Sequence, residues 1–112
     1  MFPSHDRGAR VWFGTASRLL GTTDLRNAGW NFITYVQDNI ASRRLYVNTT
    51  VQSTNTVSIT SNATETSIGA GRQVGYQQFF NGNLAYLTSY NRALTASEVL
   101  QNYTATKTRF GL

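Results

Sequence analysis

The sequence predicts an all-β fold, an antiparallel β-sandwich that ends in one short C-terminal helix. Short apolar–polar alternations separated by turn residues recur along the chain, which is typical of sandwich strands. Thr, Ser and Asn are abundant and only 13% of the residues are charged, a composition that suits strands and tight turns. A chain of 112 residues has room for one core, so we expect a single domain over residues 1–112.

The N-terminal third supplies the first predicted strands. Residues 1–8 are polar and are expected to form an arm, whereas the apolar run Val11 to Phe13 predicts a strand within residues 9–14. Residues 15–27 read as a loop with room for a strand or a turn. Residues 28–37 have the clearest strand alternation, with one face formed by Trp30, Phe32, Thr34 and Val36.

The middle of the chain predicts further strands joined by turns. Asp38-Asn39 marks a turn into a strand over residues 43–48. Alternation there places Leu45 and Val47 towards the core and Tyr46 on the opposite face. The remaining predicted segments are one or two strands within 51–61, a strand over 65–71, and a loop over 72–78.

The C-terminal third predicts the last strand and the helix. Residues 79–91 read as a strand or a pair of strands around the turn signal Asn81-Gly82. Thr95 and Glu98 have the spacing of a capping box, so a helix should start at Thr95 and run to about Ala105, leaving residues 106–112 as a tail. Leu94 and Val99 are placed to form its hydrophobic staple. The predicted core comprises Trp30, Phe32, Val36, Leu45, Val47, Ile68, Leu84 and Leu87.

Four stretches resemble segments of one known family. The corner Tyr90-Asn91-Arg92-Ala93-Leu94-Thr95 with its following helix is the most specific, and it is supported upstream by residues 29–36, 44–48 and 67–70. Together they resemble the laminin-G-like (concanavalin A-like) jelly-roll family over roughly residues 28–106. The sequence departs from the family pattern at Thr49, where a glycine is usual, and at Ala85-Tyr86, where an acidic pair is common. The resemblance implies a shortened jelly-roll β-sandwich with reduced first strands, similar to modules of bacteriophage virion proteins.

The supply of catalytic and metal-binding side chains is small. A glycosidase needs a pair of carboxyl groups that converge on the scissile bond. The sequence has five acids, Asp6, Asp24, Asp38, Glu65 and Glu98, and no two of them are adjacent or alternate on one strand. His5 is the single histidine and there is no cysteine, which excludes a transition-metal site. We therefore predict no enzyme activity and no cofactor. Calcium stays open through Asp24 or Asp38-Asn39, because oxygen ligands suffice for it.

The charge and hydropathy patterns argue against nucleic acid and membrane insertion. The net charge of +5 comes almost entirely from scattered arginines, and no nucleic-acid module is recognisable, so nucleic acid is not predicted as a ligand. No segment approaches the ~18 apolar residues of a membrane span, and the first residues do not resemble a signal peptide. The resemblance to virion modules then implies a virion-surface location, reached by lysis of the host cell.

Two functions from different classes remain after these exclusions. A third, a glycan-active enzyme, is disfavoured because carboxylates are scarce. The first is a non-enzymatic structural module on a virion coat or tail, and the second is a free-standing lectin. For either one, exposed aromatic, amide and guanidinium groups would bind sugars, and the predicted set is Arg72, Gln73, Tyr76, Gln77, Gln78 and Asn81. A shortened sandwich with few edge charges also predicts a homo-oligomer or attachment to a particle, with at least one terminus at the contact.

Overall fold

The computed structural model describes residues 9–13, 17–26, 29–39, 41–58, 70–73 and 76–112. Within these ranges every strand pair is antiparallel, and the strands form three sheets ordered β1-β2, β3-β4-β5 and β6-β7. The elements are β1 Arg10–Phe13, β2 Ser17–Leu20, β3 Ile33–Asn39, β4 Ser42–Val47, β5 Thr50–Asn55, β6 Ala70–Gln73, β7 Tyr76–Phe79 and α1 Ala96–Phe110. The antiparallel β structure with one C-terminal helix is therefore confirmed, whereas the described residues do not show a full jelly-roll sandwich.

Strands β3, β4 and β5 form the central sheet, with β4 in the middle. The turn between β4 and β5 is made by Asn48 and Thr49, since Val47 pairs directly with Thr50. Asn48 adopts φ 56°, a left-handed conformation that asparagine tolerates better than most residues. The Asn48 side-chain oxygen also accepts a hydrogen bond from the Phe32 N–H at 3.0 Å, which ties this turn to the start of β3. The turn thus needs no glycine at Thr49.

Helix α1 covers one face of the central sheet. Val36 of β3 and Tyr46 of β4 are buried in one cluster with Leu94 and Val99. The β3–β4 register pairs Val36 with Arg44, so Val36 and Tyr46 lie on the same face of the sheet. The prediction that Tyr46 lies away from the core is wrong, because the helix brings a second apolar layer to the face on which Tyr46 lies.

The opposite face of the central sheet is covered by the β1–β2 hairpin. Leu45 and Val47 are buried there, and Leu19 of β2 is fully buried. Strand β2 contacts β5 and β4, and the Leu20 N–H donates to the Ser53 hydroxyl at 3.4 Å. Because Ser53 pairs with Leu45, this contact lies on the Leu45 face. Strand β4 is therefore buried on both sides, which explains its nearly continuous burial.

The side chain of Gln52 anchors the loop that follows β2. The β4–β5 register shifts between Leu45 and Tyr46, so Gln52 has no direct partner in β4. Its side-chain oxygen accepts hydrogen bonds from the backbone N–H and the hydroxyl of both Thr22 and Thr23, at 2.8–3.1 Å. An irregularity in one strand thus provides an anchor for a neighbouring loop.

The predicted start of helix α1 is confirmed, but its predicted end is wrong. Thr95 is the N-cap and forms a capping box with Glu98, while Leu94 and Val99 share one buried cluster, as expected of a staple. The helix continues to Phe110 and ends at Gly111, which adopts φ 67° and donates its N–H to the Lys107 carbonyl. A left-handed glycine after the last turn is a common helix stop. Residues 106–110 are consequently helical, so the tail expected over 106–112 is reduced to its last two residues.

Several predicted strands and core positions also differ from the structure. The strand expected over 28–37 starts at Ile33 and extends to Asn39, so the predicted turn at Asp38-Asn39 belongs to the strand. Residues 72–78, expected to be a loop, lie largely in the β6–β7 hairpin, and residues 80–91 contain no strand. Val36, Leu45 and Val47 are buried as predicted and Phe32 is half-buried, whereas Trp30, Leu84 and Leu87 are exposed. The predicted arm over 1–8, the predicted core residue Ile68 and most of the strand expected over 65–71 lie outside the described residues.

Candidate functional site

The structure brings most of the predicted glycan-binding residues together in the β6–β7 hairpin. Its register places Arg72 opposite Gln77, Gln73 opposite Tyr76, and Gly71 opposite Gln78. Five of the six predicted residues therefore occupy two paired strands instead of a loop: Arg72, Gln73, Tyr76, Gln77 and Gln78. The structure describes the backbone of these residues and not their side chains, so it is their backbone positions that it brings together.

The sixth predicted residue, Asn81, lies beyond the end of β7. It is exposed and belongs to the segment that connects the hairpin to the helix. The turn expected at Asn81-Gly82 is not flanked by two strands, because β7 ends at Phe79 and no strand follows before α1. The Phe80 ring instead occupies the space beside Gly82, where a Cβ atom would come within 2.7 Å of it.

A second aromatic surface, which we call the Trp30 platform, lies between the start of β3 and the end of α1. The Trp30 side chain is 43% exposed, and its ring lies 5.9 Å from that of Phe110 at an angle of 50°. The guanidinium carbon of Arg109 lies 5.4 Å from the centre of the Phe110 ring, within the range of a cation–π contact. Asn31, next to Trp30, donates its side-chain N–H to the Gly29 carbonyl at 3.2 Å.

The Trp30 platform combines groups that bind sugars. An exposed indole face stacks on a sugar ring, and a neighbouring guanidinium donates to hydroxyl or carboxylate groups. Sequence reasoning assigned Trp30 to the core because it alternates with Phe32, Thr34 and Val36. No signal in the sequence opposed that assignment, because the start of β3 at Ile33, three residues after Trp30, is seen only in the structure.

The described carboxylates are engaged by arginines. Asp24 pairs with Arg26 at 3.1 Å, and Asp38 pairs with Arg44 at 2.8 Å. These are the two carboxylates that we considered for calcium. Within the described ranges, no group of three or more His, Cys, Asp or Glu side chains is placed to hold a metal ion. His5, Asp6 and Glu65 lie outside those ranges.

The ionisation of Glu98 is strongly shifted by its hydrogen-bond partners. Hydrogen bonds from the Arg92 guanidinium and from the Thr95 backbone N–H lower the pKa of the Glu98 carboxyl to about 2. Both partners stabilise the charged form, so Glu98 is a permanent anion at neutral pH. A general acid needs the opposite shift, and the structure therefore gives Glu98 a role in holding the helix start.

The segment of residues 80–90, which we call the apolar stretch, leaves large side chains in solvent. Leu84 is 63% exposed and Leu87 is 59% exposed. The same is true of the aromatic residues of the stretch, Phe80, Tyr86 and Tyr90. Exposed apolar patches on globular proteins are typical of interaction surfaces.

The family of the chain follows from comparison with known proteins. The family model described as the concanavalin A-like lectin/glucanases superfamily matches residues 3–100. The chain belongs to this family. The resemblance drawn from the corner around Tyr90 and the three upstream stretches is thereby confirmed at the level of the family, and the concanavalin A-like fold accounts for the antiparallel strands and C-terminal helix.

One solved structure with this fold is the 2.1 Å crystal structure of residues 221–444 of an S-layer domain-containing protein from Clostridium thermocellum. It superposes on the concanavalin A-like domain with a TM-score of 0.61 and 16% sequence identity. The match covers 78% of this chain and 45% of that one, so the domain spans less than half the length of its structural neighbour. A search of curated proteins found no significant match. Among the described residues, the helix is neither long nor apolar enough to cross a membrane.

Proposed function

We propose that this concanavalin A-like domain is a non-enzymatic, lectin-like module that docks on the surface of a larger assembly. The observation that carries the proposal is the apolar stretch, in which Leu84 and Leu87 are mostly exposed. Docking would remove these side chains from water, and the burial of apolar surface is the main driving force of association. The superfamily name covers lectins, which supports glycan binding as the second part of the proposal.

The ion pairs support a non-enzymatic role. Each described carboxylate, Asp24, Asp38 and Glu98, already contacts an arginine. Hydrolysis of a glycosidic bond by the usual mechanism requires one carboxyl group that is protonated near neutral pH and a second across the bond. Assays of the purified protein on glucan and other polysaccharide substrates should release no reducing ends. A turnover abolished by substitution of one carboxylate would contradict this part of the proposal.

The Trp30 platform and the β6–β7 hairpin are the two proposed glycan-binding surfaces. A glycan array on the purified protein should reveal saturable binding to one class of sugar. If the platform binds the sugar, Trp30→Ala should abolish binding and Trp30→Phe should retain part of it, since a smaller ring still stacks. If the hairpin binds it, Tyr76→Ala should abolish binding instead. Binding that both alanine variants retain in full would exclude both surfaces.

The assembly that we propose as the docking partner is a virion, through its coat or tail proteins. This choice is supported by the similarity of the Tyr90-Asn91-Arg92-Ala93-Leu94 corner to those of phage virion modules. Mass spectrometry of particles purified from lysates of the source organism should detect the protein at a fixed ratio to the coat protein. A protein that stays in the soluble fraction, with no trace on the particles, would contradict a virion role.

A free-standing lectin is the alternative, and the exposed ring of Trp30 favours it. In that case glycan binding should persist in a protein that is monomeric and attaches to no particle. The full jelly-roll sandwich predicted from sequence is part of the first proposal. In that proposal, docking on the assembly supplies the apolar layer that would cover the exposed stretch.

A further inference from the structure

The Trp30 platform lies where helix α1 extends beyond the central sheet. The Tyr103 ring lies 6.1 Å from that of Phe32, and the Phe110 ring, further along the helix, lies 5.9 Å from that of Trp30. The helix therefore runs opposite to the direction of β3, and its end passes the first residue of that strand, Ile33. The Trp30 side chain contacts the helix end and remains 43% exposed, so one part of its surface is available to a ligand.

Trp30 is held in place although it lies outside a strand. The Asn48 side-chain oxygen accepts the Phe32 N–H at 3.0 Å, and the Asn48 side-chain N–H donates to the Asn31 side-chain oxygen at 3.4 Å. Asn31 in turn donates its side-chain N–H to the Gly29 carbonyl at 3.2 Å. These bonds secure the residues on both sides of Trp30. A surface that is positioned before its ligand arrives loses less conformational entropy on binding.

The Trp30 platform carries a positive charge. Arg109 is exposed, and its guanidinium carbon lies 5.4 Å from the centre of the Phe110 ring. The two segments that build the platform, residues 29–37 and 99–112, contain no Asp or Glu. Each of the described carboxylates pairs with another arginine, so none of them occupies the Arg109 guanidinium. Its hydrogen-bond donors are therefore available to an anionic group of a ligand.

A positive charge near the end of a helix also has a structural explanation. Lys107 and Arg109 both lie in the last turn of α1, where they complement the negative end of the helix dipole. This effect does not depend on the side of the helix that carries the charge. Residues two positions apart lie on different sides of a helix, so Lys107 serves the dipole equally well from another position. Comparison of the two residues separates the structural effect of the charge from ligand binding.

We infer that the Trp30 platform binds sugars that carry a carboxylate, such as uronic acids, and that Arg109 determines this preference. The Trp30 indole stacks on the apolar face of a sugar ring, while the planar Arg109 guanidinium donates two parallel hydrogen bonds to the carboxylate. Both groups flank the Phe110 ring, so they lie within the length of a short oligosaccharide. The inference rests on the proposed function, because it names the ligand class of one of the two proposed glycan-binding surfaces.

Pairs of ligands that differ only in charge test the inference. Titration calorimetry compares oligosaccharides of galacturonic, glucuronic and mannuronic acid with the methyl esters of the same oligosaccharides. The natural protein should bind at least one of the acids about tenfold more tightly than its ester, because hydrogen bonds between charged groups contribute a factor of this size.

Two substitutions in the last turn of α1 locate the preference. Arg109→Gln should bind acid and ester alike, with the affinity that the natural protein has for the ester. Lys107→Gln is the matched control: it removes the same charge from the same turn and should keep the preference for the acid. Glutamine is a good helix former, so both variants should keep the helical circular dichroism of the natural protein. Arg109→Lys should restore only part of the preference, because an ammonium group lacks the planar fork.

Three results would overturn the inference. One is equal affinity of the natural protein for every acid and its ester, or no binding of either. A second is an equal loss of preference in Arg109→Gln and Lys107→Gln, which would mean that the net positive charge attracts any polyanion. The third is a preference that Trp30→Ala leaves intact and Tyr76→Ala abolishes, which would place the site on the β6–β7 hairpin.

The same measurements separate this inference from the proposed function. Equal binding of acid and ester that Trp30→Ala abolishes would refute the preference for acidic sugars and leave the lectin-like role intact. A protein that binds none of these oligosaccharides and no sugar on the glycan array would refute the glycan-binding part of the proposed function as well. Docking through the apolar stretch is tested independently, by attachment to particles.

Discussion

Arg92 and Glu98 form a bidentate ion pair across the start of the helix. Two guanidinium nitrogens of Arg92 each donate to one carboxylate oxygen of Glu98, both at 2.8 Å. One of those oxygens also accepts the Thr95 backbone N–H at 2.9 Å, while the Thr95 hydroxyl accepts the Glu98 N–H at 3.2 Å. The capping box is thus extended backwards to the corner that precedes the helix. This arrangement fixes the direction from which the chain enters α1.

Substitution of Thr95 by alanine should reduce the free energy of unfolding by about 0.5–2 kcal/mol, because the Glu98 N–H loses its acceptor. The combined loss in Thr95→Ala/Glu98→Ala should be smaller than the sum of the two single losses, since both residues serve one unit. Thr104→Ala is the matched control: it removes an exposed hydroxyl inside the same helix and should change stability by no more than about 0.5 kcal/mol. Urea unfolding of the four variants measures these differences, and strictly additive losses would contradict the coupling.

The lowered pKa of the Glu98 carboxyl predicts that the stability of the fold decreases in acid. Its pKa is about 2 in the folded protein and close to 4.5 in the absence of its partners. A depressed folded pKa stabilises the protein fully above the unfolded value, and that stabilisation is lost as the pH falls from about 4.5 through about 2. The melting temperature of the natural protein should therefore fall more steeply in this window than that of Glu98→Gln. Parallel melting curves over the same pH range would show that Glu98 does not contribute.

Two leucines provide a matched test of where the core lies. Leu45 is fully buried and Leu87 is 59% exposed, so the same Leu→Ala change has different consequences. Leu45→Ala should destabilise the protein by about 2–5 kcal/mol through lost burial and a residual cavity. Leu87→Ala should change the stability of the monomer by at most about 0.5 kcal/mol. Chemical denaturation of dilute protein compares the two, and equal losses would place Leu87 in the core.

The hydrogen bonds that Gln52 accepts predict that its substitution changes hydrogen exchange locally, at Thr22 and Thr23. In Gln52→Ala the N–H groups of Thr22 and Thr23 lose their acceptor, so their hydrogen exchange should accelerate, with a loss of about 1 kcal/mol in stability. Gln52→Glu keeps an oxygen at the same distance and should preserve slow exchange. Residue-resolved hydrogen exchange measured by NMR distinguishes the two variants. Unchanged exchange of both threonine amides in Gln52→Ala would show that the hydrogen bonds do not form in solution.

Sequence alone predicted those features that depend on residues close together in the chain. The helix start at Thr95, the staple of Leu94 and Val99, and the strand over 43–48 rest on contacts within a few residues or on strand alternation. The proposed glycan-binding residues between 72 and 78 were expected to lie in a loop, and the glycine of this segment does have low strand propensity. The β6–β7 pairing overrides this weak local preference by supplying a hydrogen-bonded partner.

Tertiary structure alone decided which apolar side chains are buried. Alternation shows that Trp30 and Val36 share a parity, but Val36 is buried because Val99 and Leu94 pack on it, while Trp30 extends past the sheet to the end of the helix. Likewise Tyr46 is buried because α1 covers its face, and Leu84 is exposed because no described element covers it. Local hydrogen-bonding and steric preferences are properties of short peptides, and they appear in the sequence. Burial depends on which distant element covers a surface, so it is determined only when the whole chain and its partners have assembled.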